Sequence, residues 1–209
     1  MQRLAMAVAS LCLCTVALCA DYGRFTGKVV VEWRDDEPFV HKLKLLEDFG
    51  YQEANGRLWL AHKDAVLDGG SIPLVFRDTI GLPFDGDYRK ASVVYDYYCH
   101  VMTEPWRDVH RMFYQASRAE GVGEVEAKLM YMTLYAGGPR WELRGSSCYR
   151  SCHNAATSLS WMPGQEGTDL KPVEIWVKQA NPDLDEIDRH VDAVLKKPGP
   201  HVFVQGIKR

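Results

Sequence analysis

The apolar positions of this chain change period along its length, and each change marks a different kind of element. From Phe25 to Trp33 the run Phe-Thr-Gly-Lys-Val-Val-Val-Glu-Trp is β-branched and aromatic, and it ends at the turn-forming cluster Asp35-Asp36-Glu37-Pro38. That pattern predicts a strand and a turn. Phe39–Phe49 alternates in part through Val40, Leu43 and Leu45, and Arg57–Ala61 contains Leu58-Trp59-Leu60. Two more strands are expected there, with Asn55-Gly56 between them as a hairpin signal. The front of the chain therefore reads as a small antiparallel sheet.

Beyond the Gly/Pro-rich stretch from Asp68 to Gly86 the period becomes helical. Ala91, Val94, Tyr95, Tyr98 and Met102 recur at three- and four-residue steps within Tyr88–Met102, which predicts a helix with one apolar face. Thr103-Glu104-Pro105 breaks it and starts another, because Thr can cap and Pro is tolerated in a first turn. Trp106, Val109, Met112, Phe113 and Ala116 form the apolar face of that second helix, which ends at Gly121-Val122-Gly123. Glu124–Ala136 is apolar on most sides, which implies a central, largely buried helix, and Gly137-Gly138-Pro139 stops it.

Arg140–Thr168 has little periodicity and reads as a long surface excursion containing Cys148 and Cys152. Val173–Ala180 fits a short helix or a strand. Asn181-Pro182 has the form of a cap followed by proline at the first helical position. The stripe Leu184, Ile187, Val191, Val194, Leu195 then predicts an amphipathic helix to Lys197, with acids in its first turn and lysines in its last, as the helix dipole favours. The fold class expected is α+β: an N-terminal antiparallel sheet packed on a core of three consecutive helices, plus a C-terminal amphipathic helix. Residues 21–141 would form the main unit and 142–209 a cysteine-containing excursion and helix packed on it.

The first 20 residues change this picture. Arg3 precedes an uncharged apolar run from Leu4 to Leu18, with small residues near Cys19-Ala20, the pattern of a cleaved secretory signal peptide. The expected location is periplasmic or extracellular. A retained anchor would want a longer apolar core, and Leu18 is large for the position before a lipidated cysteine, which makes a lipoprotein the lesser alternative. Losing Arg3 with the leader takes the 209-residue chain to 189 residues and its formal charge from −3 to −4. A mildly acidic chain lacks the basic face that nucleic-acid binding requires, and no second apolar run reaches membrane-spanning length. Oligomeric state is not legible.

Three cysteines remain: Cys99, Cys148 and Cys152. In an oxidising compartment two of them are expected to pair, with the pairing open. Cys148-Tyr149-Arg150-Ser151-Cys152-His153 has three residues between its cysteines where haem attachment has two, which argues against haem. A zinc site joining these cysteines to Cys99 and His100 is a further option.

The densest polar grouping lies between the apolar faces. Asp96 shares a helix face with Ser92, Cys99 and His100, and Arg107 shares one with His110. The short link makes the two helices neighbours, so Asp96 and His110 could meet, with Asp68 brought in by the preceding loop. Two carboxylates and an imidazole suffice for a general base with an orienting partner, or for a divalent cation such as zinc or calcium with open positions. In the structural alternative Asp96 and Arg107 form a buried ion pair, His110 is a satisfied histidine, and Asp68 contacts the backbone at Ser71.

Asp68-x-x-Ser71-Ile72-Pro73, Pro83-x-x-Gly86-x-Tyr88-x-x-Ala91, Tyr95-Asp96, Arg107-x-x-His110-x-x-Phe113, Gly121-Val122, and Met130-Tyr131 through Gly138 to Trp141 resemble the phage-associated domain of unknown function family numbered 1353. The resemblance covers Asp68–Trp141. It implies a scaffold and no assured reaction, and this chain has Tyr95 and His110 where the family's pattern has His and Asp. The family's His-Asp on one helix and Asp on the next is also similar to secreted phospholipase A₂, in which such a constellation binds calcium and activates water, although no calcium-binding glycine loop is present here. Tyr95, with an ordinary pKa near 10, is a poor base at neutral pH. The resemblance thus implies a site rebuilt around His110. The expected function is hydrolysis of a cell-envelope substrate, peptidoglycan or lipid, with Asp68, Asp96 and His110 as the site, Arg107 orienting Asp96 or an anionic substrate, and Tyr95 and His100 at the binding surface. The competing expectation is a non-catalytic envelope binding module with a degenerate site.

Overall fold

A glycine divides the first expected strand into two. The computed structural model describes residues 20–34, 42–68, 86–143, 156–160 and 170–195. Within them β1 (Arg24–Thr26) and β2 (Val31–Arg34) flank Gly27, whose φ of +80° is open mainly to glycine. The turn sends the two strands into different sheets. β1 pairs with β4 (Phe49–Gln52), which pairs with β5 (Leu58–Ala61); β2 pairs with β3 (Lys42–Leu45), which pairs with β6 (Val66–Leu67). All these pairings are antiparallel. The β4–β5 hairpin forms where Asn55-Gly56 predicts it. Its turn is a three-residue loop closed by Gly56 at φ +92°, with Asn55 at negative φ, not the two-residue Asn-Gly turn.

The inward faces of these strands carry Leu43, Leu45, Phe49, Tyr51, Trp59, Ala61 and Leu67, all buried. Trp59 attaches the sheet to the first long helix. Its ring meets Tyr98 edge-on at 4.9 Å and its indole N–H donates to Glu53 at 2.7 Å. The Tyr98 hydroxyl in turn accepts the Leu60 N–H at 3.1 Å.

Three consecutive helices follow: α1 (Arg89–Val101), α2 (Trp106–Glu120) and α3 (Glu124–Gly137). α1 and α2 run antiparallel, because the Glu120 carboxylate at the end of α2 accepts the N–H groups of Lys90 and Ala91 at the start of α1. First-turn donors with no partner in their own helix are thereby satisfied. α3 is buried on most sides, as its composition predicts. Even Lys128 is inside, its ammonium held by Glu124 at 2.6 Å and by the Asn181 side chain at 2.7 Å.

After α3 the chain departs from expectation. β7 (Arg140–Leu143) pairs antiparallel with β8 (Ala156–Ser160), so regular structure flanks what reads as an irregular excursion. Trp141 is the anchor: it is buried and its indole N–H donates to the Glu104 carbonyl at 2.7 Å. The segment open to helix or strand is a helix, α4 (Lys171–Ala180). Asn181 terminates α4 in the left-handed region at φ 46° and does not cap the next helix. Asp183 caps α5 (Leu184–Val194) through a reciprocal box with Glu186. α5 is tied to the helical core by Asp188, which accepts from Arg111 at 2.8 Å and from the Tyr131 hydroxyl at 2.6 Å. Residues 1–19 of the expected 1–20 leader, Cys148, Cys152 and His153, and the expected helix end at Lys196-Lys197 lie outside the described residues. Among the described residues no helix is long and apolar enough to cross a membrane.

Candidate metal and acid-base site

β6 is two residues long, yet it sets the site. Leu67 is buried and paired with Leu43, so the chain emerges from the sheet at Asp68 against α1. Asp96 lies on α1 at 2% exposure, and a buried carboxylate is costly unless hydrogen-bonded. Its Oδ2 accepts the Asp68 N–H at 3.1 Å. One turn later His100 places Nδ1 at 2.8 Å from the Asp96 carbonyl oxygen and 3.7 Å from Asp96 Oδ2, and Nε2 at 3.6 Å from Asp68 Oδ1. One candidate ligand atom from each of Asp68, Asp96 and His100 lies within 4.8 Å of the other two.

The two carboxylates control the histidine. The hydrogen bond with Asp68 raises its pKa to about 9, against the opposing effect of partial burial and with further help from Asp96. With no cation bound, the imidazolium bridges the two acids at neutral pH. A divalent cation would take the place of that proton. Donation from Nδ1–H to the Asp96 carbonyl leaves Nε2 as the ligand atom, the arrangement by which backbone carbonyls orient metal-bound histidines. Two carboxylates and one imidazole suit zinc or a similar transition ion. Calcium wants six to eight oxygen ligands, more than these three side chains supply. Asp68 is one-third exposed and His100 somewhat more, so solvent reaches the open side.

His110 stands outside this cluster. It has no exposed surface, and among the described residues neither ring nitrogen makes a well-formed hydrogen bond. Its ring lies 5.7 Å from that of Tyr95 and 5.2 Å from that of Trp106, and a Cβ on Gly138 would come within 3.1 Å of it. Burial, and then the Arg140 charge, lower its pKa to about 3, with the Pro139 carbonyl pulling weakly the other way. The basic member of the constellation is therefore His100, expected only at the binding surface, while the imidazole expected to be the base is interior packing. The reason is periodicity: His110 follows Trp106 by four positions and precedes Phe113 by three, on the buried stripe of α2.

Tyr95 is also interior. Burial raises its phenol well above the ordinary range, and the neighbouring Cys99 thiol adds to the rise. Arg107, expected beside Asp96, lies with its guanidinium over Trp106 at 5.0 Å and over Tyr135 at 5.5 Å. Cys99 is a buried thiol on α1. Any Cys148–Cys152 bond lies outside the described residues. Sequence reasoning passed over Arg140, whose guanidinium lies over Trp106 at 4.6 Å and Tyr135 at 5.2 Å; an arginine after Gly-Pro carries no distinguishing signal.

Residues 43–134 match the family described as "Protein of unknown function (DUF1353)", a segment that holds all three clustered residues. The chain is 33% identical over 154 residues to "Uncharacterized protein y4iH" of Sinorhizobium fredii (strain NBRC 101917 / NGR234), an overlap of 70% of this chain and 64% of that protein. It is 38% identical over 122 residues to "Uncharacterized protein y4jT" of the same organism, an overlap of 58% and 36%. The chain thus spans less than two thirds of the length of these curated relatives. No solved structure matches it.

Proposed function

We propose that this chain, whose residues 43–134 form a DUF1353 domain, is a hydrolase that holds a divalent cation of the zinc class through Asp68, Asp96 and His100. The observation that carries this reading is the convergence of those three side chains, one buried and two reached by solvent, within 4.8 Å. A cation bound there would lower the pKa of a bound water toward neutrality. Asp96 is the fixed member, clamped by the Asp68 N–H. His100 is oriented by the Asp96 carbonyl. Asp68 and His100 are the members that solvent reaches, so the bound water would sit on their side of the cation.

The substrate class we propose is a component of the cell envelope, peptidoglycan or lipid. Support for that part is the secretory pattern of residues 1–20, which is independent of the site. The test is release of product from peptidoglycan and from phospholipid vesicles by the zinc-loaded protein. Asp96→Asn should abolish turnover with the circular dichroism spectrum unchanged. Turnover unaffected by that substitution, or none on either substrate, would overturn the reading.

A further inference from the structure

Among the described residues, the apolar face of β2 extends past the helix that covers the rest of its sheet. Trp33 is opposed to Leu43 in the β2–β3 register and Val31 to Leu45, and directly opposed residues share one face of a sheet. Leu43 and Leu45 are buried on that face, yet Trp33 is 65% exposed and Val31 only half-buried. The cause is reach: α1 packs on β4, β5 and β6, and β2 is the edge strand beyond β3. Between the overhanging β2 and the start of α1 lies a cleft of about 480 Å³ lined by Val31, Trp33, Leu43, Phe49 and Val93. That volume falls within the range of roughly 300–1,000 Å³ for small-molecule sites.

The polar lining of the cleft is mostly cationic. Lys28, Arg89 and Lys90 line it together with one acid, Glu120. The Glu120 carboxylate is occupied by the Lys90 and Ala91 N–H groups, and the Lys90 and Arg89 charges both act on it. It offsets one of the three cations. Glu32 lies on the opposite face of β2, in register with Lys44, and Asp87, two residues before Arg89, is not part of the lining. Lys90 is partly engaged, its ammonium 5.4 Å above the Phe25 ring. Arg89 and Lys90 also stand in the first turn of α1, which holds no acid, although the helix dipole favours acids there. No hydroxyl or carboxamide side chain lines the cleft.

We infer that this cleft binds a long-chain fatty acid, its alkyl chain against Val31, Trp33, Leu43, Phe49 and Val93 and its carboxylate at the cationic edge. A peptide or a glycan would bring amides or hydroxyls that such a lining leaves unsatisfied. An alkyl chain brings none, and a carboxylate complements the excess of cations. Val93 precedes Asp96 by three positions and His100 by seven, so the cleft and the Asp68/Asp96/His100 cluster lie along one face of α1. Binding uses none of the three clustered residues and stands or falls apart from the hydrolase reading.

The experiment is calorimetric titration of the metal-free full chain with octanoate, decanoate and dodecanoate, each below its micelle concentration and at constant ionic strength. Decanol is the uncharged control. One site per chain is expected, with affinity rising roughly tenfold for each two methylenes added and decanol at least about tenfold weaker than decanoate. Trp33→Ala, at an exposed position, and Arg89→Gln, which removes a cation from the first turn of α1, should each weaken decanoate by about tenfold. Neither should move the melting temperature of the unliganded protein appreciably. Asp96→Asn should bind decanoate as the parent does, which separates this outcome from failure of the hydrolase reading. Affinity independent of chain length, decanol equal to decanoate, or undiminished affinity in both cleft variants would overturn the inference. So would absence of binding, whether the chain sediments as a monomer or as a dimer in which a second copy covers the face.

Discussion

His110 makes a quantitative demand on the pH dependence of stability. An imidazole ordinarily near 6.5 is held at about 3 in the folded protein, by burial first and by Arg140 second. Above pH 6.5 it is neutral whether the chain is folded or not, and no penalty arises. As pH falls through 6.5 the unfolded chain takes up a proton that the folded chain refuses, so stability is lost progressively until about pH 3. For this one group the loss is about 2 kcal/mol by pH 5 and roughly 5 kcal/mol when complete. His110→Leu removes the titration while keeping an apolar side chain of a size that Gly138 can accommodate. Urea unfolding of both proteins by circular dichroism at about pH 7 and pH 5 supplies the comparison. The carboxylates common to both proteins cancel in the difference, and the parent should lose about 2 kcal/mol more than the variant over that interval. Parallel pH slopes would refute the claim that this histidine is buried and neutral.

The other predictions concern the scaffold and the opposite pH limb. His100 titrates in the other sense: its raised pKa, about 9, gives the cation-free protein stability that is fully present below 6.5 and lost as pH rises toward 9. Removing the group as His100→Gln should flatten that alkaline limb in urea melts taken with chelator. Gly138→Ala would drive a Cβ to 2.5 Å from the Leu134 carbonyl oxygen and 3.1 Å from the His110 ring, and should cost about 1–3 kcal/mol in urea denaturation. Asp183→Ala removes the capping box of α5 and should cost about 1 kcal/mol in the same assay. Asp188→Ala strands the Tyr131 hydroxyl and leaves Arg111 with Asp185 alone, and should cost about 2–3 kcal/mol.

The three central helices were legible because each buries a continuous face, and burial leaves a period in the sequence. Trp106, Val109, Met112, Phe113 and Ala116 on α2, and the nearly all-apolar α3, required no other information. The β4–β5 hairpin was legible from Asn55-Gly56, although the turn it makes is one residue longer than that dipeptide usually implies. β7 was not, since its partner β8 begins more than ten residues later and its own run is too short to alternate. Nor was the break at Gly27, where an unbroken β-branched run conceals a change of sheet. At Asn181-Pro182-Asp183 two residues had capping chemistry, and the end of α4 claimed the first of them.

The site was half legible. Asp68 and Asp96 are where the sequence places them, brought together by a loop and a helix. The imidazole that meets these carboxylates is His100, whereas the sequence pattern places His110 there. His100 follows Asp96 by four positions, off the stripe formed by Ala91, Val94, Tyr95 and Tyr98, whereas His110 lies on the buried stripe of its helix. That distinction is readable from periodicity, although the family pattern, with an acid at position 110, points the other way. Arg107 and Arg140 are brought together by packing around Trp106, which no local pattern encodes.

The proposed hydrolase function rests on Asp68, Asp96 and His100 holding a divalent cation. Calorimetric titration of chelator-stripped protein with zinc and with calcium near neutral pH tests it most directly. One zinc per chain is expected, binding tighter than calcium, with release of a proton from His100 and a loss of at least about 100-fold in affinity in Asp96→Asn and in His100→Gln, His110→Leu being unchanged. Zinc affinity that survives both substitutions, or is lost in His110→Leu instead, would contradict it.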